Sequence, residues 1–144
     1  MKHKIRLFLL LFVLQSGYTF AQQTPTWLYK GTIDNKAITF YVTTKLDACG
    51  GNEHYMGMYK YGNSKKWILL TAETDYKGNF CYTEVKFTGV MILQKTDTTM
   101  TGVWISPDGK RQLKVELTVQ KMVPDDRGKF ETIYQDTIYE YDDC

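Results

Sequence analysis

The chain is poor in the side chains on which most catalytic and metal-binding sites are built. Its 144 residues include only two histidines, three cysteines and three prolines. Beyond the first residues, His54 is the single histidine. A zinc site of the usual kind draws on several His or Cys ligands, so no metal is expected. Asp47, Glu53, Gly50 and Gly51 do not have EF-hand spacing and read as an acidic loop. Ser64 and Ser106 stand outside any Gly-x-Ser-x-Gly elbow, and there is no phosphate-binding glycine loop. Cys49 precedes His54 by five residues, but nothing in the sequence orients the two as a nucleophile and base. Glu84, between Thr83 and Val85, is the one acid that would be tested as a hydrolase carboxylate. A non-enzymatic protein without a cofactor is the expectation. At this length there is room for about one domain.

Long apolar runs are also missing. The longest, Leu7–Leu14, follows Lys2, Lys4 and Arg6 and leads into Thr19-Phe20-Ala21. A spanning helix needs roughly 20 apolar residues, so residues 1–21 read as a secretory signal peptide cut after Ala21, not an anchor. Export to the periplasm or the extracellular space is expected. No cysteine sits just after the cut, which argues against a lipid anchor. Three of the eighteen basic residues fall in that segment, leaving fifteen against sixteen acidic ones, so the apparent basicity belongs to the signal. Nucleic acid, which calls for a strongly basic patch, is not an expected partner. The remaining charge is uneven: residues 22–121 are basic, and residues 122–144 form an acidic tail. That tail either stays solvated or folds back on the body.

Export makes disulfides available to Cys49, Cys81 and Cys144. Three single pairings are possible; Cys49 with Cys81 is preferred, leaving Cys144 free or linking two chains.

From Trp27 to Lys121 helical spacing is absent and period-two alternation takes its place, interrupted by turn residues. Strands are expected near 27–33, 37–44, 54–61, 67–73, 80–87, 89–95, 99–106 and 111–120. Leu113, Val115, Leu117 and Val119 share one face, with Gln112, Lys114, Glu116 and Thr118 on the other. Gly57 lies on the face of Tyr55, Tyr59 and Tyr61, and Gly102 on that of Met100 and Trp104. Such interior glycines mark bends or close backbone approach, as a tightly coiled small barrel requires. The expected fold is all-β: an eight-stranded antiparallel up-and-down meander (22–121), closed as a small barrel, with the acidic aromatic tail (122–144) packed on it or extending from it. A sandwich is the alternative. An outer-membrane barrel would need longer strands with an apolar outer band, where this chain places Lys, Glu and Thr. In the tail, Phe130, Ile133, Tyr134, Ile138 and Tyr141 fit a helical face, while the β-branched and aromatic content favours an extended segment.

The series Gly57-Met58-Tyr59-Lys60-Tyr61, Leu69-Leu70, Thr83-Glu84 and Gly102-Val103-Trp104-Ile105-Ser106-Pro107-Asp108-Gly109-Lys110 resembles a pattern of small secreted bacterial β-meander proteins of unassigned function. It covers about residues 28–120 and implies a fold more than an activity. The meander, with Trp and Tyr at strand positions, is also faintly similar to avidin-type and lipocalin-type barrels. The Gly-x-Trp motif that opens lipocalins is missing, so neither family's ligand is carried over.

Aromatics remain as the candidate chemistry. Trp27, Tyr59, Tyr61, Trp67 and Trp104 are the candidate binding residues, lining a barrel mouth or an exposed patch. Phe40 and Tyr41 are neighbours in a strand and must point to opposite faces. The expected function is binding of another protein, as an inhibitor or immunity-type protein, with Lys45–Glu53 as the recognition loop. The alternative is a carrier of a small apolar ligand, because eight strands are just wide enough to fill with side chains or to hold one such molecule.

Overall fold

Eight strands form where the alternation runs cleanly between turn residues: β1 (Thr26–Ile33), β2 (Lys36–Leu46), β3 (Glu53–Tyr61), β4 (Ile68–Thr74), β5 (Asn79–Glu84), β6 (Val90–Lys95), β7 (Thr99–Ile105) and β8 (Gln112–Gln120). The computed structural model describes residues 24–46 and 53–142. The expected signal segment 1–21, Cys49 and Cys144 lie outside the described residues. Every strand pairs antiparallel with the next, and β1 pairs with both β2 and β8, so the meander closes into a barrel. Tyr29 sits opposite Phe40 on one side and Val119 on the other.

Parity decides what fills the bore. Tyr29, Ile33, Ile38, Phe40, Val42, Tyr59, Leu70, Phe80, Tyr82, Met91, Leu93, Met100, Val115 and Leu117 form one buried cluster. Within it Phe40 meets Tyr82 edge-on at 5.1 Å between ring centroids, and Phe80 stacks on Tyr82 at 5.7 Å. Such pairs contribute about 0.5–1.5 kcal/mol each beyond area burial. The interior glycines do what the pattern implied. A Cβ at Gly31 would collide with the carbonyl oxygen of Glu116, and one at Gly102 with that of Ile92. The neighbouring strand approaches too closely for any side chain, which is how short strands coil tightly enough to close.

The tail is a helix, α1 (Pro124–Asp142), and it folds back. Closure leaves no free strand edge for an extended segment to join, so the tail satisfies its backbone within itself. Pro124 opens the helix, and Asp125 and Asp126 in the first turn complement its dipole. Tyr134, fully buried, packs with Leu28, Tyr41, Met58, Trp67 and Leu69 on the outside of the barrel, and Phe130, Ile133, Ile138 and Tyr141 surround them. Phe40 therefore fills the bore, while Tyr41 lies under the helix, stacked on Phe130 at 5.5 Å and donating to Glu131 Oε2 at 3.1 Å. Among the described residues no helix is long and apolar enough to cross a membrane.

One strand boundary differs markedly from the sequence reading. β5 ends at Glu84 and not near residue 87, because Lys86 and Phe87 both adopt positive φ, 74° and 54°. Cys81 is free. It points outward between Glu73 of β4 and Ile92 of β6, and no disulfide is seen among the described residues.

Candidate binding mouth

Inward parity on β5 runs Phe80, Tyr82, Glu84, placing a carboxylate where the bore would otherwise be apolar. Glu84 is 3% exposed and is met by three donors. Tyr59 donates its hydroxyl to Oε1 at 2.5 Å and Trp104 its Nε1 hydrogen to the same oxygen at 2.7 Å. Thr88 donates to Oε2 at 2.5 Å. A buried carboxylate is tolerated only with such partners, and charge-assisted bonds of this length are among the stronger ones. Burial is the main cause that raises the Tyr59 hydroxyl well above its ordinary pKa; the hydrogen bond to Glu84 and that group's charge add to it. Tyr61 packs edge-on against Tyr59 at 5.5 Å, and burial raises its pKa as well. The Arg111 guanidinium lies over the Trp104 ring, 5.9 Å from its centroid.

These residues gather at one end of the barrel, where the turns β1–β2, β3–β4, β5–β6 and β7–β8 lie. Gly89 gives the Trp104 indole its place, since a Cβ there would run into the ring. Two concavities flank the rim: a cleft of about 340 Å³ lined by Lys66, Ile68, Val85, Lys86, Thr88, Glu140 and Tyr141, and an open hollow of about 530 Å³ beside Lys36, Ala37, Tyr61 and Gly62.

Of the five candidate aromatics, Tyr59, Tyr61 and Trp104 are brought together at this mouth. Trp27 lines the opposite mouth, stacked on Tyr55 at 6.2 Å with Lys95 4.1 Å from its ring centroid. Burial lowers the pKa of that lysine. Trp67 precedes β4 and is buried beneath α1, with its ring edge-on to Phe130 at 6.1 Å. Sequence reasoning missed Thr88, Phe87 and Arg111. The β5–β6 turn carried no Asn-Gly or Pro signal to announce it. Most of the loop Lys45–Glu53 lies outside the described residues. Among the described residues no group of three or more His, Cys, Asp or Glu side chains is placed to hold a metal ion.

Chemically, the mouth is a hydrogen-bonded plug. Both Glu84 oxygens are engaged by donors from β3, β7 and the β5–β6 turn, which ties three parts of the rim together. Comparison of the chain with protein-family models, curated proteins and solved structures finds no match.

Proposed function

We propose that this chain is an exported, non-enzymatic binding protein that acts by contact with another protein, in the manner of an inhibitor or immunity-type protein. The observation that carries this reading is the filled bore. Fourteen buried side chains pack inside the barrel, and bulky aromatics occupy its middle. A carrier of a small apolar ligand needs that volume open. Closure also removes every strand edge, so a partner cannot add a strand and must engage turns and mouths. Rigid barrels commonly recognise partners in this way. The Glu84 carboxylate is poorly suited to hydrolysis, since it is buried and both oxygens already accept hydrogen bonds from the chain itself.

One atom favours the carrier alternative. The Tyr82 hydroxyl, in the bore near Tyr29 and Tyr55, is buried with no hydrogen-bond partner. A small polar guest at that level would satisfy it.

The test is affinity capture from the exported protein fraction with the mature chain as bait, followed by reconstitution from purified components. A stoichiometric protein complex that survives gel filtration is the expected result. Failure to reconstitute any protein complex, together with recovery of a lipid or other small molecule from the bait, overturns the reading.

A further inference from the structure

The β5–β6 turn is strained and yet firmly fixed. Lys86 and Phe87 hold positive φ in succession, a conformation that bulky side chains rarely adopt. Around them, Glu84 N–H donates to the Gly89 carbonyl at 2.9 Å, Phe87 N–H to the Glu84 carbonyl at 2.8 Å, and Val85 N–H to the Leu69 carbonyl at 2.9 Å. Thr88 closes onto the Glu84 carboxylate. Strain that the surroundings over-determine gathers at functional positions. Its effect here is to present Phe87 to solvent, 58% exposed, at the edge of the mouth.

Charge supplies the second observation. The four turns at this end, with the residues that flank them, carry Lys36, Lys65, Lys66, Lys86, Lys110 and Arg111, all exposed, against exposed Asp34 and Asp108 and the buried Glu84. Asp108 is partly neutralised by Lys110 at 3.8 Å. The opposite mouth is balanced, with Lys45, Lys77, Lys95 and Lys121 beside Glu53, Glu73, Asp75 and Asp97. The positive excess of the barrel is thus concentrated around Tyr61 and Trp104. Glu140 of α1 already lines the cleft beside Lys66 and Lys86, the position a partner's carboxylate would take.

We propose that this mouth docks on an acidic protein surface, with Phe87 entering an apolar recess of the partner and the ring of Lys and Arg facing its carboxylates. The proposal rests on the protein-binding reading above and names the surface that reading needs. Charge complementarity of this kind steers encounter and sets orientation, while a desolvated aromatic anchors the centre. A folded protein suits the concave flanks beside the rim better than a flat bilayer does, and a single projecting ring is a weak membrane anchor.

The experiment is an NMR titration of the full mature chain with a synthetic peptide of alternating Glu and Leu. A Lys-Leu peptide, phosphatidylglycerol vesicles and a single-stranded oligonucleotide are titrated in parallel. Expected are shifts confined to Lys36, Tyr61, Lys65, Lys66, Lys86 to Thr88, Trp104 and Arg111. Affinity should fall about tenfold in raised salt and about tenfold again in K65E/K66E/K110E. Phe87→Ser should weaken binding several-fold with an unchanged salt dependence, and the variants' free spectra show whether they remain folded. Equal binding of the Lys-Leu peptide, preference for vesicles or oligonucleotide, or no peptide binding at all overturns the proposal. Shifts at Trp27, Tyr55 and Lys95 instead overturn this surface but leave protein contact standing. Binding of neither peptide, with a small apolar molecule retained in the bore, overturns both.

Discussion

Replacing Glu84 tests whether the buried carboxylate organises its end of the barrel. In Glu84→Leu the Tyr59 hydroxyl, in a side chain only 1% exposed, loses its acceptor. A buried donor left unpaired costs about 1–3 kcal/mol. Trp104 is half-buried and loses the same acceptor, which adds on the order of 1 kcal/mol because water can partly replace it. Thr88 is exposed and finds water freely. Leucine regains something by burying a non-polar side chain in place of a charge, so the net destabilisation is about 2–3 kcal/mol. Tyr59→Phe removes a donor from a carboxylate that keeps two others, and should cost about 1.5–2 kcal/mol. The double variant leaves no mismatched pair between these positions, so it should be more stable than the sum of the singles implies, by about 1–2 kcal/mol. Urea unfolding followed by circular dichroism and by tryptophan fluorescence measures all three. Hydrogen exchange should also show the amides of residue 84 and Phe87, which donate within the β5–β6 turn, losing protection in Glu84→Leu. Additive effects, or a single variant as stable as the parent, would refute the idea that Glu84 ties the rim together.

Further substitutions and pH probe other parts of the structure. Gly102→Ala should destabilise by about 3 kcal/mol or more, because its Cβ meets the backbone of β6, whereas Gly128→Ala, in α1 with open space around it, should stabilise by about 0.5–1 kcal/mol; thermal unfolding separates the two. Tyr134→Ala should cost about 3–5 kcal/mol and release α1, with the barrel's β signal retained in far-ultraviolet circular dichroism. Burial raises Tyr29 and Tyr134 to about 12 from an ordinary 10. A raised folded pKa means the unfolded chain gives up its proton first, so their contribution is fully present below pH 10 and is lost as pH rises through 12. Tyrosinate absorbance recorded beside ellipticity should show unfolding and ionisation advancing together across that interval; full ionisation of a chain that stays folded would contradict the assigned burial.

The barrel was legible because period-two alternation and explicit turns, such as Ser106-Pro107-Asp108-Gly109-Lys110, act locally and agree with each other. The boundary that slipped furthest, at the end of β5, did so because Lys86 and Phe87 take positive φ without a residue type that announces it; the turn's own bonds through Glu84 and Gly89, and that of Val85 N–H to Leu69 of β4, hold that conformation. The tail was ambiguous because its residues suit a helix or a strand, and only closure, a property of the whole sheet, decides. Parity showed that Tyr59 and Tyr61 share a face, and likewise Met100 and Trp104. It could not show that Trp27 ends at the opposite mouth, which depends on the register of pairing. Trp67, expected to open the fourth strand, stands just ahead of β4, so parity could not place its side chain, and α1 covers it. Glu84 was visible as an odd acid, but its three donors come from positions 59, 88 and 104, a convergence no local pattern records.

The central claim is that the bore is filled by the chain and that the protein works from its outer surfaces. Native mass spectrometry of the purified chain, produced in an oxidising compartment and recorded before and after denaturation, tests this most directly. The account predicts the same mass in both states, that of the bare chain. An additional non-covalent mass of a few hundred daltons, present in the native state and lost on denaturation, would contradict it and make the barrel a carrier.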